Sequence, residues 1–187
     1  GLGMKGIHVV LALPHALAAV KAGADALVVV GSEAGGLRSR NPESSTMVLV
    51  PLVADHVSVP IVAAGGVADS RGYRAALALG AQGVQVGTRF LASQESPASE
   101  HWKKAIVECG DGGTDLIPAL GMKVAQRIIV TPWIKERMSD PAVKNIADEL
   151  DINPDQTGRY DRAAFGAGQV SALIKDIKPI KEIIREM

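Results

Sequence analysis

One plan repeats through the first ninety residues and limits what this chain can fold into. A short apolar run ends in a glycine-rich or polar loop. A helical stretch follows, and glycine or proline precedes the next run. The runs are Ile7-His8-Val9-Val10-Leu11-Ala12, Ala26-Leu27-Val28-Val29-Val30, Ile61-Val62-Ala63-Ala64 and Val84-Gln85-Val86. They are short, rich in β-branched residues and almost uniformly apolar, as parallel strands covered on both faces should be. Strand, helix, strand in this rhythm implies right-handed βαβ units and a parallel sheet.

Helices are expected between the runs. Residues 14–22 carry Pro14 near the start and Gly23 just past the end, the asymmetry that helices prefer. Residues 51–57 form a shorter candidate opening on Pro51. Residues 70–79 have Asp69 or Ser70 as N-cap and Gly80 as a stop. The second half reads differently. A helix is expected over 98–109, a loop at 111–115, and either strand or helix over 124–130. Short helices and loops should fill 131–169, where Pro132, Pro141 and Pro154 interrupt a polar stretch. Residues 170–187 place Val170, Leu173, Ile174, Ile177, Ile180 and Ile184 on one helical face, with Pro179 expected to kink or divide it.

Composition narrows the functional classes. In 187 residues, 20 Lys+Arg balance 20 Asp+Glu, so no overall charge draws the chain to nucleic acid or an anionic membrane. Apolar residues make up 47%, the balance of a globular protein. No run approaches the roughly 20 apolar residues that span a bilayer. One cysteine, Cys109, excludes an internal disulfide and a multi-cysteine zinc site, and fits a reducing, cytoplasmic setting. The opening Gly-Leu-Gly-Met has neither an initiator methionine nor a signal-peptide pattern, and reads as the middle of a longer chain.

In parallel βα architectures the functional atoms gather at the carboxyl ends of the strands. Three successive strand ends here carry glycine: Gly31-Ser32-Glu33-Ala34-Gly35-Gly36, Gly65-Gly66-Val67-Ala68-Asp69, and Gly87-Thr88-Arg89. Without a Cβ, a glycine tolerates positive φ and lets its N–H approach a ligand oxygen. Successive amides make an anion nest, and a helix N-terminus adds partial positive charge. Gly65-Gly66 beside Gly87-Thr88 is therefore expected to form a phosphate cup between adjacent strands, with the Thr88 hydroxyl as a further donor. Turning the chain is the alternative task for these glycines. No loop carries the Walker or dinucleotide-binding fingerprint.

Three blocks together resemble the nitronate monooxygenase family, formerly 2-nitropropane dioxygenase, whose relatives include FMN-dependent enoyl-acyl-carrier-protein reductases. They run from Gly23-Ala24-Asp25-Ala26 to Glu33-Ala34-Gly35-Gly36, over Val59-Pro60-Ile61-Val62-Ala63-Ala64-Gly65-Gly66, and from Gly80-Ala81-Gln82-Gly83 through Val84-Gln85-Val86-Gly87-Thr88-Arg89-Phe90. The likeness returns at Ala167-Gly168-Gln169. It implies an α/β fold of the (β/α)8 TIM-barrel type, in which this chain supplies the last four strands, the C-terminal half, plus a helical C-terminal extension. It implies bound FMN. Gly35 and Gly36 would lie along the isoalloxazine ring, and Gly65 and Gly66 would receive the phosphate. Gln85, Val86, Gly87 and Thr88 would close the cup. The implied activity is oxidation of alkyl nitronates with O2. The alternatives are an NAD(P)H-dependent enoyl-thioester reductase and a non-catalytic flavin- or phosphate-binding subunit.

Two departures bear on that activity. The family usually has a catalytic histidine directly after Glu-Ala-Gly-Gly; here it is Leu37, which cannot move a proton, so no catalytic residue is assigned. An already ionised nitronate needs no such base. Neighbouring Arg38 either attracts an anionic substrate or stands as a solvated charge. The second departure is length: only four barrel strands are visible. The expected unit is one partial barrel domain over 1–187, with 111–165 as a helical or loop insertion. Its open edges call for a homo-oligomer or a partner chain to supply the other half.

The remaining candidates have bland expected tasks. His8 should be a core or strand-end residue, and His15, His56 and His101 surface residues. Glu33 should hold loop amides, Asp69 should cap a helix, and Cys109, Trp102 and Trp133 should pack. Lys103 and Lys104 should form a solvated helix face. No metal-ligand spacing is present.

Overall fold

The computed structural model describes residues 3–39, 43–118 and 124–187. Its first part is a β/α succession: β1 (Ile7–Val10), α1 (Leu13–Lys21), β2 (Ala26–Val30), β3 (Gly36–Arg38), α2 (Thr46–Ala54), β4 (Ile61–Ala64), α3 (Ser70–Ala78), β5 (Gly83–Gln85) and α4 (Thr88–Leu91). There follow α5 (Glu100–Glu108), β6 (Thr114–Pro118), β7 (Ala125–Ile129), α6 (Pro132–Met138), α7 (Pro154–Thr157) and α8 (Ile180–Arg185).

The strands β1, β2, β4 and β5 form a parallel sheet in that order. Each strand lies beside its predecessor with no reversal of order, the succession of a barrel wall rather than of a doubly wound sheet. The two-residue period sorts the side chains. Leu27, Val29, Ile61 and Ala63 pack outward with Ala16, Ala19, Leu49, Val50 and Val53 of α1 and α2. Val28, Val30 and Ala64 pack on the other face with Leu11, Ala34 and Val62. Both central strands are thus covered on both faces, which is why they read as continuous apolar runs.

The sheet ends at β1, where Ile7 is 64% and Val9 54% exposed, with Met4 exposed beside them. His8 is exposed on this edge rather than buried in a core, because β1 has a neighbour on one side only among the described residues.

The strands β3, β7 and β6 make a separate antiparallel sheet. The ambiguous stretch 124–130 is therefore strand, and Thr114-Asp115, expected as loop, opens β6. Residues 119–123 of the segment 111–165 lie outside the described residues.

Two helices differ from expectation. α2 begins at Thr46, with Pro51 inside it. The proline marked a start by sequence, but an entire turn precedes it at the cost of one intrahelical bond. The stretch 170–187 is divided by Pro179, as expected, but its first part is a short 3-10 turn (Gln169–Leu173) and only Ile180–Arg185 is α-helical. The Glu95 carboxylate accepts from Ile180 N at 2.9 Å and so caps α8 from a distant segment. No helix among the described residues is long and apolar enough to cross a membrane.

Candidate cofactor-binding cleft

A cleft of about 590 Å³ opens at the carboxyl ends of the parallel strands. That is within the range of small-molecule and cofactor sites, roughly 300–1,000 Å³. Gly35, Gly36 and Leu37 form one wall, and Gly65, Gly66, Gln85, Gly87 and Thr88 another. Gly166, Ala167, Gly168 and Val170 close it from the C-terminal segment. Seven of the eight residues picked from sequence meet here. Val86 does not line the cleft; it is half-buried just beyond β5.

Gly65 and Gly66 have consecutive positive φ angles, +93° and +76°, a conformation that glycine adopts without strain. Among the described residues, the backbone N–H groups of Gly65, Gly66, Gly87 and Thr88 find no acceptor. Four orphan donors at two neighbouring strand ends are costly unless water or a ligand satisfies them. Gly87 is also the N-cap of α4 and supplies no side-chain cap. The start of α3 differs: Asp69 Oδ1 accepts from Arg71 N at 2.9 Å and Gly72 N at 3.4 Å. Its hydrogen bond with Arg71 holds the Asp69 carboxyl below the usual range. A carboxylate thus already occupies the start of α3, and the helix start left open to an anion is that of α4. The Thr88 hydroxyl accepts from Gly168 N at 3.0 Å and keeps its proton to donate.

The glycines of the other wall divide their tasks. A Cβ on Gly35 would lie 2.4 Å from Ala167 C and 2.5 Å from Gly168 N, so Gly35 permits two backbone segments to cross. Gly36, with φ +74°, meets nothing within 4 Å of its Cβ position and leaves open space. Gly87 likewise leaves open space. The cleft is therefore a cradle of unpaired amides and missing side chains.

Behind the cleft lies a buried polar lattice. The Glu33 carboxylate accepts from Thr46 N at 2.9 Å and lies 3.0 Å from Thr46 Oγ1, so it caps α2 where a grip on its own loop's amides was expected. Arg38 is only 3% exposed. It donates to Glu43 at 2.9 Å and to Gly31 O at 2.9 Å, and is neither a solvated charge nor a free cation for substrate. Arg127, buried on β7, donates to Ser32 O at 3.2 Å, and burial pushes its guanidinium down. Two arginines of the antiparallel sheet therefore grip consecutive carbonyls of the loop that carries Gly35 and Gly36.

Leu37 is 58% exposed and faces the cleft beside its cross-strand partner Gln126. Among the described lining residues there is no histidine, lysine, cysteine or aspartate, and the one carboxylate, Glu33, is engaged with Thr46. His56 and His15 are exposed, and His101 stacks on Tyr160 at 3.6 Å between ring centroids. Lys104 is solvated as expected, but Lys103 is buried and paired with Glu100. Trp102 packs on Phe165 and donates to Gly166 O, while its body lines the cleft. Cys109 is buried, and burial pushes its thiol up. Sequence reasoning did not find Thr46 or Gln126. Both reach the site only through tertiary contacts and carry no local spacing signal.

The nitronate monooxygenase family model matches residues 2–187. The chain belongs to this family. A probable nitronate monooxygenase of Staphylococcus aureus is 44% identical over 132 residues, covering 67% of this chain and 37% of that protein. The chain thus spans little more than a third of the curated relatives it matches. The solved structure of FabK from Thermotoga maritima has a TM-score of 0.81 at 37% identity, covering 98% of this chain and 60% of the other. A nitroalkane oxidase from Streptomyces ansochromogenes superposes with a TM-score of 0.82 at 27% identity, covering 98% and 56%. These whole-length superpositions establish the TIM-barrel type and the partial barrel of this nitronate monooxygenase family member.

Proposed function

We propose that this chain is the phosphate-binding half of an FMN-dependent oxidoreductase that oxidises alkyl nitronates with O2. The observation that carries the reading is the set of four amides, of Gly65, Gly66, Gly87 and Thr88, that find no acceptor among the described residues and belong to residues lining one cleft. Those amides and the Thr88 hydroxyl would hold the FMN phosphate, and the open backbone at Gly36 would let the ring lie close. FMN, when bound, supplies the electron acceptor for the substrate and the site of reaction with O2. The protein's own part is to orient the ring, exclude water and admit the substrate past Leu37.

With no free base among the described lining residues, the chain does not deprotonate a neutral nitroalkane; the substrate arrives as the anion. Leu37, Leu91, Trp102 and Val170 give the cleft an apolar lining suited to the alkyl part of such an anion. The exposed edge of β1, with Ile7 and Val9, is where the other half of the barrel would pair, from a second copy or a partner chain. The segment 111–165 reads as an insertion whose strand β7 roofs the cleft through Gln126. The buried, free Cys109 suits a cytoplasmic setting.

The similarity to FabK favours a second reading, NAD(P)H-dependent reduction of an enoyl thioester through FMN. A flavin titration of the purified chain, by FMN fluorescence quenching, tests the cofactor. Saturation at one FMN per chain or per dimer is expected. Anaerobic stopped-flow absorbance then separates the activities. Bleaching by an alkyl nitronate is expected; bleaching by NADPH alone would select the reductase. A folded chain that leaves FMN fluorescence unchanged would overturn both.

A further inference from the structure

The Gly65-Gly66 peptide carries one of the four unpaired amides, and nothing in its own sequence keeps it from rotating. Neither residue has a Cβ to restrict the rotation of this peptide. Its orientation is held from behind. Thr46, the first residue of α2, does not line the cleft. Its hydroxyl lies 3.0 Å from Gly65 O, 3.0 Å from Glu33 Oε2 and 3.3 Å from Ala64 O. A hydroxyl has one proton to give. Ala64 O already accepts from Gly31 N at 3.0 Å, and Glu33 Oε2 from Thr46 N at 2.9 Å. Among the described residues Thr46 is the sole donor to Gly65 O.

In a planar trans peptide the carbonyl and the following N–H point in opposite directions. With Gly65 O drawn back to Thr46, the N–H of Gly66 is turned away from α2, on the side where Gly66 lines the cleft. A flipped peptide would present the carbonyl oxygen instead and repel an anion there. Glu33 strengthens the arrangement by fixing the backbone of Thr46.

We infer that Thr46 is a positioning residue of the phosphate cup: its hydroxyl locks the Gly65-Gly66 peptide with the Gly66 amide facing the phosphate. The inference rests on the flavin reading above and adds a residue that touches neither ring nor phosphate. It predicts an effect confined to the phosphate end of the cofactor.

The test compares FMN with riboflavin, which has the same ring and no phosphate, on the full chain. For Thr46→Val, which exchanges the hydroxyl for a methyl, FMN affinity is expected to fall roughly tenfold, the cost of one unsatisfied carbonyl and a misaligned donor. Riboflavin affinity should stay within about twofold, and Thr46→Ser should restore FMN binding. Circular dichroism melting checks folding. Should the valine variant unfold, Thr46→Ala takes its place. Equal losses for FMN and riboflavin in a folded variant, or no rescue by serine, would overturn the inference and leave the cofactor reading standing. A wild-type chain that binds FMN no better than riboflavin would overturn the phosphate cup itself, and this inference with it.

Discussion

Replacing Gly35 by alanine tests whether this glycine serves the ligand or the crossing of two backbone segments. The added Cβ would stand 2.4 Å from Ala167 C, 2.5 Å from Gly168 N and 2.8 Å from Ala167 Cα, all backbone atoms. Favourable carbon contacts begin near 3.5 Å, so the segments would have to part by roughly 1 Å. Two hydrogen bonds sit at that crossing, Gln169 N to Glu33 O at 2.9 Å and Gly168 N to Thr88 Oγ1 at 3.0 Å. Overpacking costs about 1–3 kcal/mol, and each weakened bond about 1 kcal/mol. The expected loss is about 3–5 kcal/mol, a large part of a typical domain's stability of about 5–15 kcal/mol. Urea unfolding followed by circular dichroism reads it directly. Gly36→Ala is the internal comparison: its Cβ meets nothing within 4 Å, so only the positive φ is penalised, at about 1–2 kcal/mol. Equal midpoints for the two variants would refute the crossing argument.

Leu37→His places a titratable group at the mouth of the cleft, and oxygen consumption with a neutral nitroalkane should then appear where the parent chain has none. Breaking the buried Arg38–Glu43 pair with Glu43→Gln leaves a buried guanidinium uncompensated and should cost about 3–5 kcal/mol in urea unfolding. Asp69→Ala removes the α3 cap and should cost about 1 kcal/mol. The same carboxyl is held below its ordinary range in the folded state. Its contribution is therefore full above the unfolded value, near pH 4, and fades as pH falls through the lower folded value. Thermal melts from pH 7 to pH 2 should show the wild type and Asp69→Ala converging in acid. Burial raises the Cys109 thiol, so iodoacetamide at pH 8 should label it slowly in the folded chain and quickly in urea, by mass spectrometry.

The sequence alone determined the parallel sheet and the place of the cleft. Strands β2 and β4 are covered on both faces, so their apolar runs carry no ambiguity of period, and both fall on their expected residues. The paired glycines at 65–66 are a local signal too, because positive φ restricts the residue type on the spot. The cap at Asp69 was equally readable, since a cap bonds within its own first turn.

Only the tertiary structure decided what lies behind the glycines. α2 is capped by Glu33, thirteen residues upstream, and α8 by Glu95, eighty-five residues upstream, so neither start has a local cap to read. Arg38 looks like a loop cation until Glu43 and Gly31 O enclose it, and Lys103 looks solvated until the fold buries it and it pairs with Glu100. Gly35 lines the cleft, but what its missing Cβ admits is Ala167, brought back from more than a hundred residues away. Backbone conformation and apolar period are written residue by residue. Partners of buried charges and hydroxyls are set by which distant segments close over them, and that is known only once the chain has folded.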